Sequence, residues 1–77
     1  MKRKRMESKE VAEFIIWVIE ITSREFFNND KTIAYNVLKD TGILNTYADT
    51  YDVTHTLSAN YITEEIGSIL KSKGVVK

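Results

Sequence analysis

Apolar residues recur every three to four positions along most of the chain, the spacing that places them on one face of a helix. From about Ser8 to Phe27, at about 100° per residue, Val11, Phe14, Ile15, Val18, Ile19, Ile21 and Phe26 share one broad sector. Lys9, Glu13, Glu20, Ser23 and Arg24 occupy the opposite one. This pattern predicts a first helix that serves as the central packing element. Two apolar residues break the division: Trp17 lies at the edge of the sector between Glu13 and Glu20, and Ile16 points into the polar face. They read either as edge-of-core residues or as a contact patch.

Asn28, Asn29 and Asp30 predict a turn, with Asn29 or Asp30 accepting from the free amides that open a second helix. That helix carries Ile33, Ala34, Val37 and Leu38 at helical spacing, and Thr41–Gly42 ends it. Glycine supplies the left-handed conformation of a helix C-terminus, with Ile43 placed for the hydrophobic contact that follows. A short third helix is expected from Leu44 to about Tyr51, with Tyr47 and Tyr51 one turn apart. Asp52 to Thr56 is β-branched and polar with no clear period, and reads as a connector or irregular helix end. Ser58 or Asn60 then caps a fourth helix with Ile62, Ile66, Ile69 and Leu70 in one stripe, Glu64, Ser68 and Lys71 facing away, and Gly74 as its stop. Gly67 inside that helix costs about 1 kcal/mol relative to alanine, and marks either a close helix approach or a tolerated position.

The expected fold is all-α: a small bundle or orthogonal array of about four helices, occupying residues 8–77 as one domain behind a basic tail at 1–7. The alternative, Tyr51 to Leu57 as a strand, lacks a second strand to pair with, because Val75 and Val76 are too few and terminal. The chain has no proline and no internal repeat. A chain of 77 residues buries only about 60% of the surface its unfolded form exposes, so the stability margin is thin.

Composition narrows the chemistry. There is no cysteine, which excludes disulfides, thiolate nucleophiles and thiolate metal sites and fits a reducing cytoplasm. The longest apolar run, Phe14 to Ile19, falls far short of the ~20 residues that span a bilayer, so no membrane role is expected. Lys2, Arg3, Lys4 and Arg5 resemble the start of a secretory signal, but no long apolar segment follows them. The formal net charge is zero, yet without those four residues the rest holds seven cations against 11 anions. Nucleic-acid binding draws on a basic face that releases phosphate counterions, and the body has none. The tail reads as a solvated end rather than a binder of nucleic acid or anionic lipid.

Candidate reactive groups are few. His55 is the one histidine, and Asp52, three residues earlier, would orient its ring if the segment were helical. No third partner is near in sequence, and a zinc site would need Glu64 or Glu65 to fold back. A hydrogen-bonded structural histidine is the expected outcome. Glu64 and Glu65 point about 100° apart on a helix and read as a solvated face, not an acid–base pair. Three isolated glycines form no phosphate loop. Tyr47 and Tyr51 sit among Asp49 and Asp52 rather than among basic residues, which disfavours single-stranded nucleic acid. No cofactor and no metal is expected.

These residues also carry a resemblance. Tyr35–Val37–Leu38, Thr41–Gly42–Ile43–Leu44, Tyr51–Asp52–Val53–Thr54–His55–Thr56 and Tyr61–Ile62–Glu64–Glu65–Ile66, with Phe14–Ile15–Ile16 and Ile19–Glu20 ahead of them, resemble a small bacterial domain-of-unknown-function family, number 3791. The tyrosine–aspartate–x–x–histidine–threonine segment is the most specific part, and this chain has Thr54 where the family usually carries leucine. The resemblance implies a short cytoplasmic bacterial protein without assigned activity, often encoded beside an ADP-ribosyltransferase-like protein. That pairing would suggest a toxin and its neutralising or accessory partner.

The expectation is therefore a non-enzymatic protein–protein interaction module, its partner an adjacent-gene product or a second copy of itself. Its contact residues are expected to be Ile16, Trp17, Tyr47 and Tyr51, with Asp52 and His55 beside the tyrosines. The alternative is a small helix–turn–helix DNA-binding regulator built from the second and third helices and helped by the basic tail. Against it, the third helix offers Asp49 and Asp52 and no lysine or arginine where base and phosphate readers belong.

Overall fold

A computed structural model of the protein describes residues 9–76, which form five helices and no strand. The basic segment at 1–7 and the expected helix start at Ser8 lie outside the described residues. The helices are α1 (Lys9–Phe26), α2 (Lys31–Asp40), α3 (Ile43–Asp49), α4 (Tyr51–Thr54) and α5 (Ala59–Ser72). The fold is all-α, as the periodicity predicts. Where a single third helix was expected up to Tyr51, the backbone breaks at Thr50 and resumes as the single turn α4.

Helix α1 is the central element: α2, α3 and α5 all pack on it, α2 also meets α3, and α4 sits on α3. The core comprises Val18 and Ile21 of α1, Ala34 and Leu38 of α2, Ile43 and Tyr47 of α3, and Ile62, Ile66 and Leu70 of α5. The α5 stripe advances by four residues at a time and is wholly buried. Each such leucine or isoleucine contributes about 1.5–3 kcal/mol by leaving water.

Two placements depart from the sequence pattern. Ser23, expected on the polar face, is buried, because the turn after α1 doubles back: the amides of Phe27 and Asn29 both donate to its carbonyl. Its hydroxyl donates to the Glu20 carbonyl at 2.9 Å. Ile33, expected in the apolar stripe of α2, is exposed. That helix meets its neighbours through Ala34 and Leu38, one turn apart, and Ile33 lies about 100° away from Ala34.

Without proline, the helices are ended by side chains and left-handed residues. Asn28 and Asn29 (φ 54° and 70°) close α1, asparagine being one of the few residues that tolerate this region. Asp30 caps α2, its carboxylate accepting from the Ile33 amide at 3.1 Å. Gly42 (φ 82°) both terminates α2 and opens α3, its amide donating to Lys39 and its carbonyl accepting from Thr46. Threonine hydroxyls add a second donor to carbonyls of the last turns: Thr41 donates to Val37 and Thr50 to Thr46, carbonyls that also accept the amides of the same threonines. Ser58 caps α5 by accepting from the Tyr61 amide at 3.1 Å. A Cβ on Gly67 would stand 3.0 Å from Cζ of Phe26, so this glycine marks a close approach of α5 to the end of α1.

Two predictions follow from this core. Ile66→Asp places an unpaired charge in a fully buried position and costs about 3 kcal/mol or more, read as a collapse of the thermal unfolding midpoint. The hydroxyl of Thr22 is buried without a hydrogen-bond partner among the described residues. Thr22→Val keeps the shape and removes the stranded group, so chemical denaturation should show stability unchanged or raised by up to about 1 kcal/mol. A clear loss would mean that the hydroxyl is satisfied.

Candidate functional site

The phenyl ring of Phe14, on the inner face of α1, gathers aromatic groups from three helices. Its centroid lies 5.9 Å from Trp17 and 6.4 Å from Tyr47, both stacked, and 5.5 Å from Tyr51, edge to face. Tyr51 in turn stacks on His55 at 4.5 Å, residues one turn apart across the end of α4. Offset and edge-to-face pairs at these separations contribute about 0.5–1.5 kcal/mol each beyond burial. The cluster thus clamps the first half of α1 to α3 and α4.

Above it opens a shallow groove of about 490 Å³. One wall is Glu10, Glu13, Phe14 and Trp17, a single face of α1, and the other is Tyr51, His55, Leu57 and Ala59. Phe14, Trp17, Tyr51 and Leu57 are each half-buried, so their side chains serve as core on one side and groove lining on the other.

The six expected contact residues separate into three groups. Trp17, Tyr51 and His55 come together as groove lining. Ile16 (58% exposed) and Asp52 are on the surface but do not line the groove. Tyr47 is a correction: at 3% exposure it belongs to the core and is not available to a partner. It follows Ile43 by one turn on the buried face of α3. Phe14, Glu10 and Glu13 were not singled out as contact residues. Their spacing from Trp17 puts them on its helix face, but nothing local says that α4 lies opposite.

Polar geometry explains how α4 is held. The buried hydroxyl of Thr54 reaches the carbonyls of Tyr47 and Thr50, each at 3.1 Å, tying α4 to the end of α3. A leucine here would leave that link unmade. His55 Nδ1 donates to the Tyr51 carbonyl at 2.6 Å. A carbonyl only accepts, so this bond places the proton on Nδ1 and leaves Nε2 as the acceptor of the neutral ring. The expected orientation of His55 by Asp52 is replaced by this backbone contact. Among the described residues no three histidine, aspartate or glutamate side chains are grouped so as to hold a metal ion, and no helix is long and apolar enough to cross a membrane.

Below the groove, the Tyr47 hydroxyl donates to Oε1 of Glu65 at 2.6 Å, linking α3 to α5. Burial, and then the hydrogen bond to and charge of Glu65, push the Tyr47 phenol well above the ordinary tyrosine range. The folded protein therefore keeps this proton where the unfolded chain, with an ordinary value of about 10, has lost it. The resulting stability is fully present below pH ~10 and declines as pH rises beyond it. Tyr47→Phe should cost about 1–2 kcal/mol at neutral pH. The gap between variant and parent should narrow in denaturant titrations above pH ~10. A gap independent of pH would separate the phenol from this linkage.

The family model described as "Protein of unknown function (DUF3791)" matches residues 13–73, which include both walls of the groove apart from Glu10. No curated protein and no solved structure gives a significant match. The chain belongs to the DUF3791 family of proteins of unknown function.

Proposed function

We propose that this chain is a non-enzymatic protein–protein interaction module that receives its partner in the groove between α1 and α4. The observation that carries this reading is the convergence of Phe14, Trp17 and Tyr51, half-buried aromatic residues from two helices, on one open groove. Aromatic side chains held rigid by their neighbours expose contact area at little entropic cost, which is why they dominate binding energies. Trp17 is the only tryptophan of the chain and sits on the groove wall.

The proposed partner is an adjacent-gene product of the ADP-ribosyltransferase-like kind, with this chain as its antitoxin-like or accessory subunit in the bacterial cytoplasm. This choice draws on the family resemblance, while the groove draws on geometry. The DNA-binding alternative has less in its favour: α3 carries no lysine or arginine, and it turns Ile43 and Tyr47 into the core.

Isothermal calorimetry of the chain against the adjacent-gene product at micromolar concentrations tests the proposal. A complex is expected, and Trp17→Ala should weaken it by about 30-fold or more, the loss of an anchor worth about 2 kcal/mol. Duplex DNA should give no salt-dependent response. Absence of heat, or a complex indifferent to Trp17→Ala and Tyr51→Ala in folded variants, would refute docking in the groove.

A further inference from the structure

We propose that the groove takes a cationic side chain, an arginine or lysine on a basic segment of the partner protein, held between the Trp17 ring, the Glu13 carboxylate and Nε2 of His55. The inference rests on the interaction reading above and gives the occupant its chemistry.

Charge complementarity carries it. Among the described residues no lysine or arginine lines the groove, whereas Glu13 does. The absence extends along both walls. Between Lys9 and Arg24 the first helix has no cation and has Glu10, Glu13 and Glu20. Between Lys39 and Lys71 there is none either, against Asp40, Asp49, Asp52, Glu64 and Glu65. An apolar partner surface gains nothing from this field, while a basic one is drawn in by it.

The lining groups suit a cation individually as well. Glu13 and Trp17 are one helical turn apart on the same face, a carboxylate beside the ring type that attracts cations best. Phe14 stacks against Trp17 from the protein side and fixes it in place. His55 directs its Nδ1–H to the Tyr51 carbonyl, and in that tautomer Nε2 is an acceptor for a guanidinium or ammonium N–H. A negative charge, an aromatic face and an acceptor thus line the same groove, a combination that favours positively charged donors over anions or neutral groups.

The test follows the Trp17 indole resonance and fluorescence in the full chain while capped Gly-Arg-Gly, Gly-Lys-Gly and the neutral citrulline counterpart are added. Saturable shifts at millimolar arginine or lysine peptide are expected, with citrulline at least about tenfold weaker. Glu13→Gln, a substitution at an exposed position, should weaken the arginine peptide by about threefold to tenfold, and added salt should do the same. Equal titration by citrulline, or no response to either cationic peptide up to about 50 mM, would overturn the proposal.

The partner complex separates this inference from the reading beneath it. A complex lost in Trp17→Ala but unmoved by Glu13→Gln and by salt would keep the docking groove and refute the cationic occupant. Peptide binding with no complex would keep the cation site and refute the adjacent-gene partner.

Discussion

The ring of Phe14 is where the architecture and the candidate site become one object. It meets Trp17 on its own helix, Tyr47 on α3 and Tyr51 on α4 within 6.4 Å. Through Tyr51 it also supports His55, which stacks on that tyrosine. A domain of 77 residues has little apolar area to spare, and here the same aromatic rings that close one end of the core also form the floor and walls of the groove. A binding surface built this way is rigid before any partner arrives, since moving Trp17 or Tyr51 disturbs packing that holds three helices together.

The region around α4 shows how polar groups hold a segment that hydrophobic pattern alone would not. This single turn has no apolar stripe, and Val53 within it is exposed. What fixes it is the Thr54 hydroxyl on two carbonyls of the preceding segment and the His55 ring on the Tyr51 carbonyl. The Thr50 and Tyr51 carbonyls also accept backbone amides, so the bond that ties this turn to α3 is the one from the Thr54 hydroxyl to the Tyr47 carbonyl, about 1 kcal/mol net. The result is that Tyr51 and His55 face the same groove as Trp17.

Charge acts on a second scale. Its separation along the sequence leaves the α1 wall of the groove with carboxylates, and among the described residues neither wall has a lysine or arginine. Such a surface steers association and discriminates among partners more than it contributes raw affinity, which the aromatic anchors supply. The proposed interaction role and the proposed cationic occupant thus describe two components of one recognition event.

Much of the fold was legible in the amino-acid order. The period of Ile62, Ile66 and Leu70, a cap at Asn29 or Asp30, a cap at Ser58 or Asn60 and the stops at Gly42 and Gly74 are local signals, and local hydrogen bonding and burial realise them, with Asp30 and Ser58 as the caps. The pattern misjudged Ser23 and Ile33 because which flank of a helix is covered depends on where its neighbours lie. It could single out Trp17, Tyr51 and His55 as aromatic or titratable oddities but not assemble them, and it placed Tyr47 with them although that ring is core. Trp17 and Tyr51 are distant along the chain and share a groove only because Tyr51 of α4 packs on Phe14 of α1. The amino-acid order alone settles where the longer helices run and which sign of charge they carry, since both depend on residues a few positions apart, whereas the break at Thr50 and the turn α4 lay beyond it. That the aromatic residues and carboxylates share a groove follows from the folded packing alone, because it joins segments whose spacing encodes nothing about one another.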